Sequence, residues 1–210
     1  MTNAINAGFL VKMATVSTIL FAWLLLGEKL SLRKIAVMFF MLLGAYLLTT
    51  KGQSLLPHIG DLFILGACIS WSLGNVLVRK TLRTQAVSAD VVTIQKPLAS
   101  ILVFGILISL VIFFPNLSAN FVNTQTSPIT YFPYALVSGI LLSLTWIYLY
   151  RTLSVSTASY MTLMSMMTPI MVSILAMVFL GEKLIGIQLF GAGLIILSAA
   201  VIYLSDIAYT

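Results

Sequence analysis

Gly27-Glu28-Lys29-Leu30 and Gly181-Glu182-Lys183-Leu184 are the same tetrapeptide, and each copy sits between two long apolar runs. Laying one copy over the other also pairs Ala22 with Ala176, Leu26 with Leu180, Leu43 with Leu197 and Ala45 with Ala199. Overall identity is modest, but the order of features is kept: apolar helix, polar tetrapeptide, apolar helix. A helix pair repeated inside a membrane is most often found in transporters and channels.

The surroundings of the two tetrapeptides require a membrane. The chain is 60% hydrophobic and 8% charged, with a mean hydropathy of +1.12, against about 25% charged residues in ordinary globular domains. So few charges cannot cover a water-facing surface, and the solvent must be mostly lipid. The net charge of +6 is spread singly or in twos and threes beside apolar runs. Anionic headgroups meet basic residues there, so no nucleic-acid partner is implied. Cys68 lies inside an apolar run and, as the sole cysteine, reads as a small packing residue. Met1–Ala7 lacks a basic segment and no A-x-A-like site follows the first run, so no cleavable signal peptide is expected.

A spanning helix needs about 20 mainly apolar residues. Seven runs qualify: Asn6–Leu26, Ile35–Thr50, Gly60–Leu77, Val91–Phe114, Tyr131–Tyr150, Thr157–Leu180 and Ile185–Leu204. They are continuous rather than alternating and too long for barrel strands, which predicts an all-α integral membrane protein. Lys29, Arg33, Lys34, Arg79, Lys80, Arg83 and Arg151 fall in loops on one side, and Lys51 and Lys183 on the other. That bias predicts the first side as cytoplasmic, the N-terminus outside and the C-terminus inside. The uncharged loop Pro115–Thr130 then lies outside, and its Asn116-Leu117-Ser118 sequon reads as chance. Five helices separate the start of one copy from the start of the other. An odd number reverses direction, so the two tetrapeptides face opposite sides, the inverted-repeat arrangement used for alternating access.

The stretch Gly60-Asp-Leu-Phe-Ile-Leu-Gly-Ala-Cys-Ile-Ser-Trp-Ser-Leu-Gly-Asn-Val-Leu-Val-Arg-Lys80 resembles the opening helix of an EamA repeat of the drug/metabolite transporter superfamily. Thr168-Pro169 followed by an apolar stretch, then Leu180-Gly-Glu-Lys-Leu184 and a Gly-rich last helix, is similar to the close of such a repeat. The resemblance implies that residues 51–210 hold one complete five-helix repeat and residues 1–50 the last two helices of a preceding one. Family members usually have ten helices, so the resemblance also implies that the first three are lacking. It implies transport of metabolites, amino acids or amphiphilic drugs, with no cofactor.

Two lysines, Lys12 and Lys96, interrupt apolar helices, where a charge either snorkels to headgroups or faces a cavity. Gln95, Lys96 and Pro97 sit together, and the proline is expected to loosen the helix. Trp71 is deep in its run with Asn75 one turn on, which favours a cavity-facing pair. Trp146, Tyr148 and Tyr150 lie near Arg151, where an interfacial belt is expected. Tyr160 is a further aromatic candidate for a substrate path. Met161, Met164, Met166 and Met167 precede Pro169 and suit either packing or a permissive apolar pocket. Pro169 frees a carbonyl and permits a bend; it aligns with Thr15, so the first copy lacks this feature. Lys12 aligns with Met166, so the two halves of a central site would differ in charge. The cavity candidates are therefore Lys12, Trp71, Asn75, Gln95, Lys96, Tyr160, Met164, Met166 and Pro169.

Gly66, Ser70 and Gly74, and Ala135, Gly139 and Ser143, form small-residue stripes that read as helix packing. Gly27, Glu28 and Lys29, with Gly181, Glu182 and Lys183, read as end-of-helix structure, each Glu suiting the positive end of the helix that follows.

Glu28, Asp61, Asp90, Glu182 and Asp206 all lie near span ends, which disfavours an embedded-carboxylate proton relay. One loop histidine, His58, and no carboxylate or thiol cluster give neither a catalytic constellation nor a metal site. A seven-helix receptor would share the terminal orientation but leaves the repeat unexplained. The expectation is a multi-pass transporter of the inner or plasma membrane, carrying small metabolites or drugs. The alternative is a fragment that is inactive or needs a partner, such as a second copy.

Overall fold

The computed structural model describes residues 4–85, 87–113 and 128–207. The Asn116 sequon and most of the uncharged loop around it lie outside these. Regular structure among the described residues is entirely helical: α1 (Ala4–Leu10), α2 (Met13–Leu26), α3 (Leu32–Thr50), α4 (Ile59–Arg83), α5 (Ala89–Phe113), α6 (Pro128–Val155), α7 (Ala158–Ser165), α8 (Thr168–Leu180) and α9 (Gly186–Ile207). Taken with α1–α2 and α7–α8 as one span each, seven stretches are long and apolar enough to cross a membrane.

The span ends differ from the sequence expectation where charged residues are good helix formers. The third span runs on past Leu77 to Arg83, and the fifth past Tyr150 to Val155. Lys, Arg and Leu carry little helix penalty, so these helices outlast the hydrocarbon.

Each tetrapeptide stops a helix in the same way. Gly27 and Gly181 take left-handed φ of +66° and +67°, which glycine adopts without a Cβ clash. The N–H groups of Gly27 and Glu28 both turn back to Ala22 O, and those of Gly181 and Glu182 to Ala176 O. These bonds satisfy carbonyls that a helix end leaves open. The helix that follows is capped differently in the two copies. Ser31 Oγ accepts from Lys34 N before α3. Before α9, Gln188 Oε1 accepts from Ile185 N, while Gln188 Nε2 donates to Leu48 O at 3.0 Å. At the start of α4, Asp61 Oδ2 accepts from His58 N, half of a capping box.

The chain divides into two compact units, Met1–Lys80 with Ser156–Thr210, and Thr81–Val155. In the first, adding 154 (181 − 27) to a residue number carries α1–α2–α3 onto α7–α8–α9: Ala4 meets Ala158, Leu26 meets Leu180 and Leu32 meets Gly186. Its core gathers Ile19, Val37, Met41, Ala45 and Leu48 from one copy with Leu163, Met166, Ile170, Ile195, Ala199 and Ile202 from the other.

Helices α3 and α9 touch through glycine. A Cβ on Gly44 would lie 2.5 Å from Gly191 O, and one on Gly191 2.7 Å from Gly44 O. The small-residue stripes do not do this work. Gly66, Gly74 and Gly139 have nothing within 4 Å of a would-be Cβ, and Ser70 and Ser143 hydroxyls bond their own helices at Gly66 O and Gly139 O. The second unit packs α5 against α6, with Arg151 paired to Asp90 at 3.2 Å.

Candidate functional site

Two spans are broken at matching places. In the first, Lys12 N bonds Phe9 O, Ala14 N bonds Val11 O and Thr15 N bonds Lys12 O, all three-residue reaches that tighten the turn. In the second, Met166 N bonds Leu163 O and Met167 N bonds Met164 O in the same manner. The alignment pairs Lys12 with Met166. The expectation that only the copy with Pro169 would deviate is therefore corrected: the first copy breaks too, with Thr15 in place of the proline.

The reason lies in who satisfies the freed carbonyls, which in hydrocarbon cannot stay empty. In the second copy the segment serves itself. Ser165 Oγ donates to Thr162 O, which has lost Met166 N–H, and Thr168 Oγ1 donates to Ser165 O, for which Pro169 has no N–H. In the first copy the donors come from α4. Cys68 Sγ lies 3.5 Å from Leu10 O and 3.7 Å from Val11 O, and Ser72 Oγ donates to Ala14 O at 2.8 Å. Cys68 is thus more than a packing residue. Its buried thiol sits at the carbonyl that Ala14 N–H has vacated.

The breaks meet. Thr15 Oγ1 lies 3.2 Å from Met166 Sδ, and both residues are buried. Lys12 is half-buried on the turn between α1 and α2, with no polar side-chain partner among the described residues. Met161 and Met166 are buried and Met164, Met167 and Tyr160 pack against the core. The methionine-rich stretch thus packs around the crossing. Pro169 is buried in the first turn of α8.

Trp71 and Asn75 do not form an inward-facing pair. Asn75 is buried at 5% exposure, and Trp71 is 56% exposed. The buried face of α4 is instead Cys68, Ser72, Asn75 and Val76.

In the second unit, α5 continues through Pro97 without a break. Gln95 is exposed. Lys96 Nζ lies 5.3 Å from the Trp146 ring centre and 5.2 Å from that of Tyr150. These two rings stack with centres 5.5 Å apart. Of the residues expected in an interfacial belt, Tyr148 is exposed and Tyr150 is fully buried. An open groove of about 450 Å³ runs along α5 from Ile101 to Phe113; its polar lining is Ser109, whose hydroxyl already bonds Gly105 O, so it offers no recognition chemistry.

Sequence reasoning missed Asn6. It is buried, and its Nδ2 donates to Leu56 O at 2.6 Å and to Asp61 Oδ2 at 3.3 Å, tying α1 to the entry of α4. An amide inside an apolar run was the available signal. Glu28 is at a helix start, as expected of its type, but at that of α7 rather than of the following helix: Ala158 N and Ser159 N both donate to it. Gly181, Glu182 and Lys183 are exposed, as are Gly27 and Lys29. Among the described residues, no group of three or more His, Cys, Asp or Glu side chains could hold a metal ion.

The model of the EamA-like transporter family matches residues 1–50 and 58–204. No curated protein matches the chain.

Proposed function

The chain belongs to the EamA-like transporter family, a family of multi-pass membrane proteins, and from that premise we propose that it carries small metabolites or drugs by alternating access between inverted repeats. The observation that carries the reading is the crossing of the two broken spans at Thr15 and Met166. Interrupted helices give a membrane protein polar backbone at mid-depth, where a cargo can be held. Substrate binds beside this crossing, with Lys12 as its charge and Asn75 and Tyr160 as polar candidates. The N-terminus faces outward and the C-terminus the cytoplasm, in the inner or plasma membrane.

The test is single-cysteine labelling in a Cys68→Ser background, which keeps a donor for Leu10 O. Lys29→Cys and Lys183→Cys are expected to react with an impermeant maleimide from opposite faces. Labelling from one face would end the inverted-repeat reading. In cells given a panel of labelled amino acids and amphiphilic dyes, Lys12→Ala is expected to abolish movement of whichever compound the parent protein carries, at equal membrane abundance.

One asymmetry favours a partner-dependent form of the same carrier. Four residues of α2 are buried (Thr15, Thr18, Ile19 and Ala22), against Pro169 and Ile170 of α8. Helix α4 covers part of the first span; a second copy would seat on the exposed residues of α8, such as Val172 and Leu175. Crosslinking of the purified chain from Val172→Cys to itself supports that form, and a monodisperse monomer that transports rules it out.

A further inference from the structure

Among its described residues the second unit holds a cation without a counter-charge and a buried hydroxyl without a partner, on one pair of stacked rings. Lys96 lies seven residues into α5, about 10 Å along its axis. Trp146 and Tyr150 are one turn apart on α6, and Nζ is nearly equidistant from their ring centres. The ammonium therefore sits at a depth between the two rings. Its stem reaches across to α6.

Asp90, the carboxylate closest in sequence, is already engaged by Arg151. Among the described residues no oxygen accepts a hydrogen bond from Lys96 Nζ. Ring faces stabilise an ammonium but leave its three N–H donors unfilled. Tyr150 has no exposed surface, and its hydroxyl has no hydrogen-bond partner among the described residues. A buried donor left unmade is costly, and each such group calls for an explanation.

We propose that Lys96 and Tyr150 bind the carboxylate of an organic anion whose apolar or aromatic body lies against Trp146. The ammonium supplies the one positive charge and the phenol a second donor, which matches a group with two oxygens and one negative charge. A phosphate dianion would call for a second cation. The assignment rests on the transport reading and adds, to the place proposed at Lys12, a second one that holds the cargo, whose class it names: monocarboxylates.

The experiment uses the full chain in nanodiscs with Trp23→Phe and Trp71→Phe, which leaves Trp146 as the reporter. Phenylacetate is titrated against phenylacetamide, phenethylamine and phenyl phosphate. Saturable quenching by phenylacetate alone is expected. Lys96→Met should weaken it by about tenfold or more, since a charge-assisted bond is lost. Lys96→Arg should retain it, and Tyr150→Phe should weaken it several-fold with the unliganded emission unchanged. Lys96→Met removes a charge from the membrane interior, so its failure to bind will not be a failure to insert.

The proposal is overturned if phenylacetate does not bind, if Lys96→Met binds it equally, or if the amide or phosphate binds as tightly. Binding by these criteria without movement of labelled phenylacetate across reconstituted vesicles would uphold the site and sink the transport reading.

Discussion

The carboxylate of Glu28 accepts hydrogen bonds from Ala158 N at 2.8 Å and Ser159 N at 3.1 Å, and a further short one from the Ser159 hydroxyl. Thr157 Oγ1 accepts from Tyr160 N. Together they satisfy three of the four amides that α7 leaves open at its first turn, and one of the two caps comes from 130 residues away in sequence. The first copy of the tetrapeptide thereby fastens the start of the second copy's broken span.

Replacing Glu28 with alanine should lower stability by about 1–3 kcal/mol, the cost of stranding part-buried donors. Thermal unfolding in detergent reads this as a lower midpoint. Glu28→Gln, which keeps an acceptor but not the charge, should fall between alanine and the parent. The exposed Glu182 should tolerate alanine within about 0.5 kcal/mol.

Gly44→Ala and Gly191→Ala should each destabilise by about 1–3 kcal/mol, because the new methyl group meets backbone oxygen that cannot rotate away. Gly66→Ala and Gly139→Ala enter open space and should be neutral or raise the midpoint, since alanine favours the helix by about 0.5–1 kcal/mol. Equal losses at all four positions would contradict the glycine contact between α3 and α9.

Gly27→Ala and Gly181→Ala should each cost about 1 kcal/mol, with nothing nearby to clash, because left-handed backbone is strained for any residue bearing a Cβ. The paired losses should be alike, as the two φ values are. Melting curves of the two single mutants check this directly.

Ser72→Ala should cost about 1 kcal/mol by removing the donor to Ala14 O. Cys68→Ser should cost less than Cys68→Val, which has no donor for Leu10 O. The native thiol, 5% exposed, should react with a membrane-permeant maleimide far more slowly than after denaturation.

The seven spans and the repeat were legible because apolar length and a tetrapeptide opening on a required left-handed glycine are local properties. Pro169 could be read as a break for the same reason. The break at Lys12 could not, because its cause is the Cys68 thiol and the Ser72 hydroxyl, more than 50 residues away in sequence. Trp71 and Asn75 misled for a related reason: four-residue spacing places them on one side of α4, but the neighbour that buries Asn75 and leaves Trp71 open is set by packing. Lys96 was visible as a charge out of place. That it would lie over Trp146 and Tyr150 depended on the register of α5 against α6.

What joins the two interrupted spans is a hydroxyl resting on a thioether. Sulfur is a feeble acceptor, and methionine has three rotatable bonds with which to follow a moving neighbour. In the proposed alternating access the junction between Thr15 and Met166 would serve as a lubricated pivot, keeping the halves in register while resisting their rotation hardly at all.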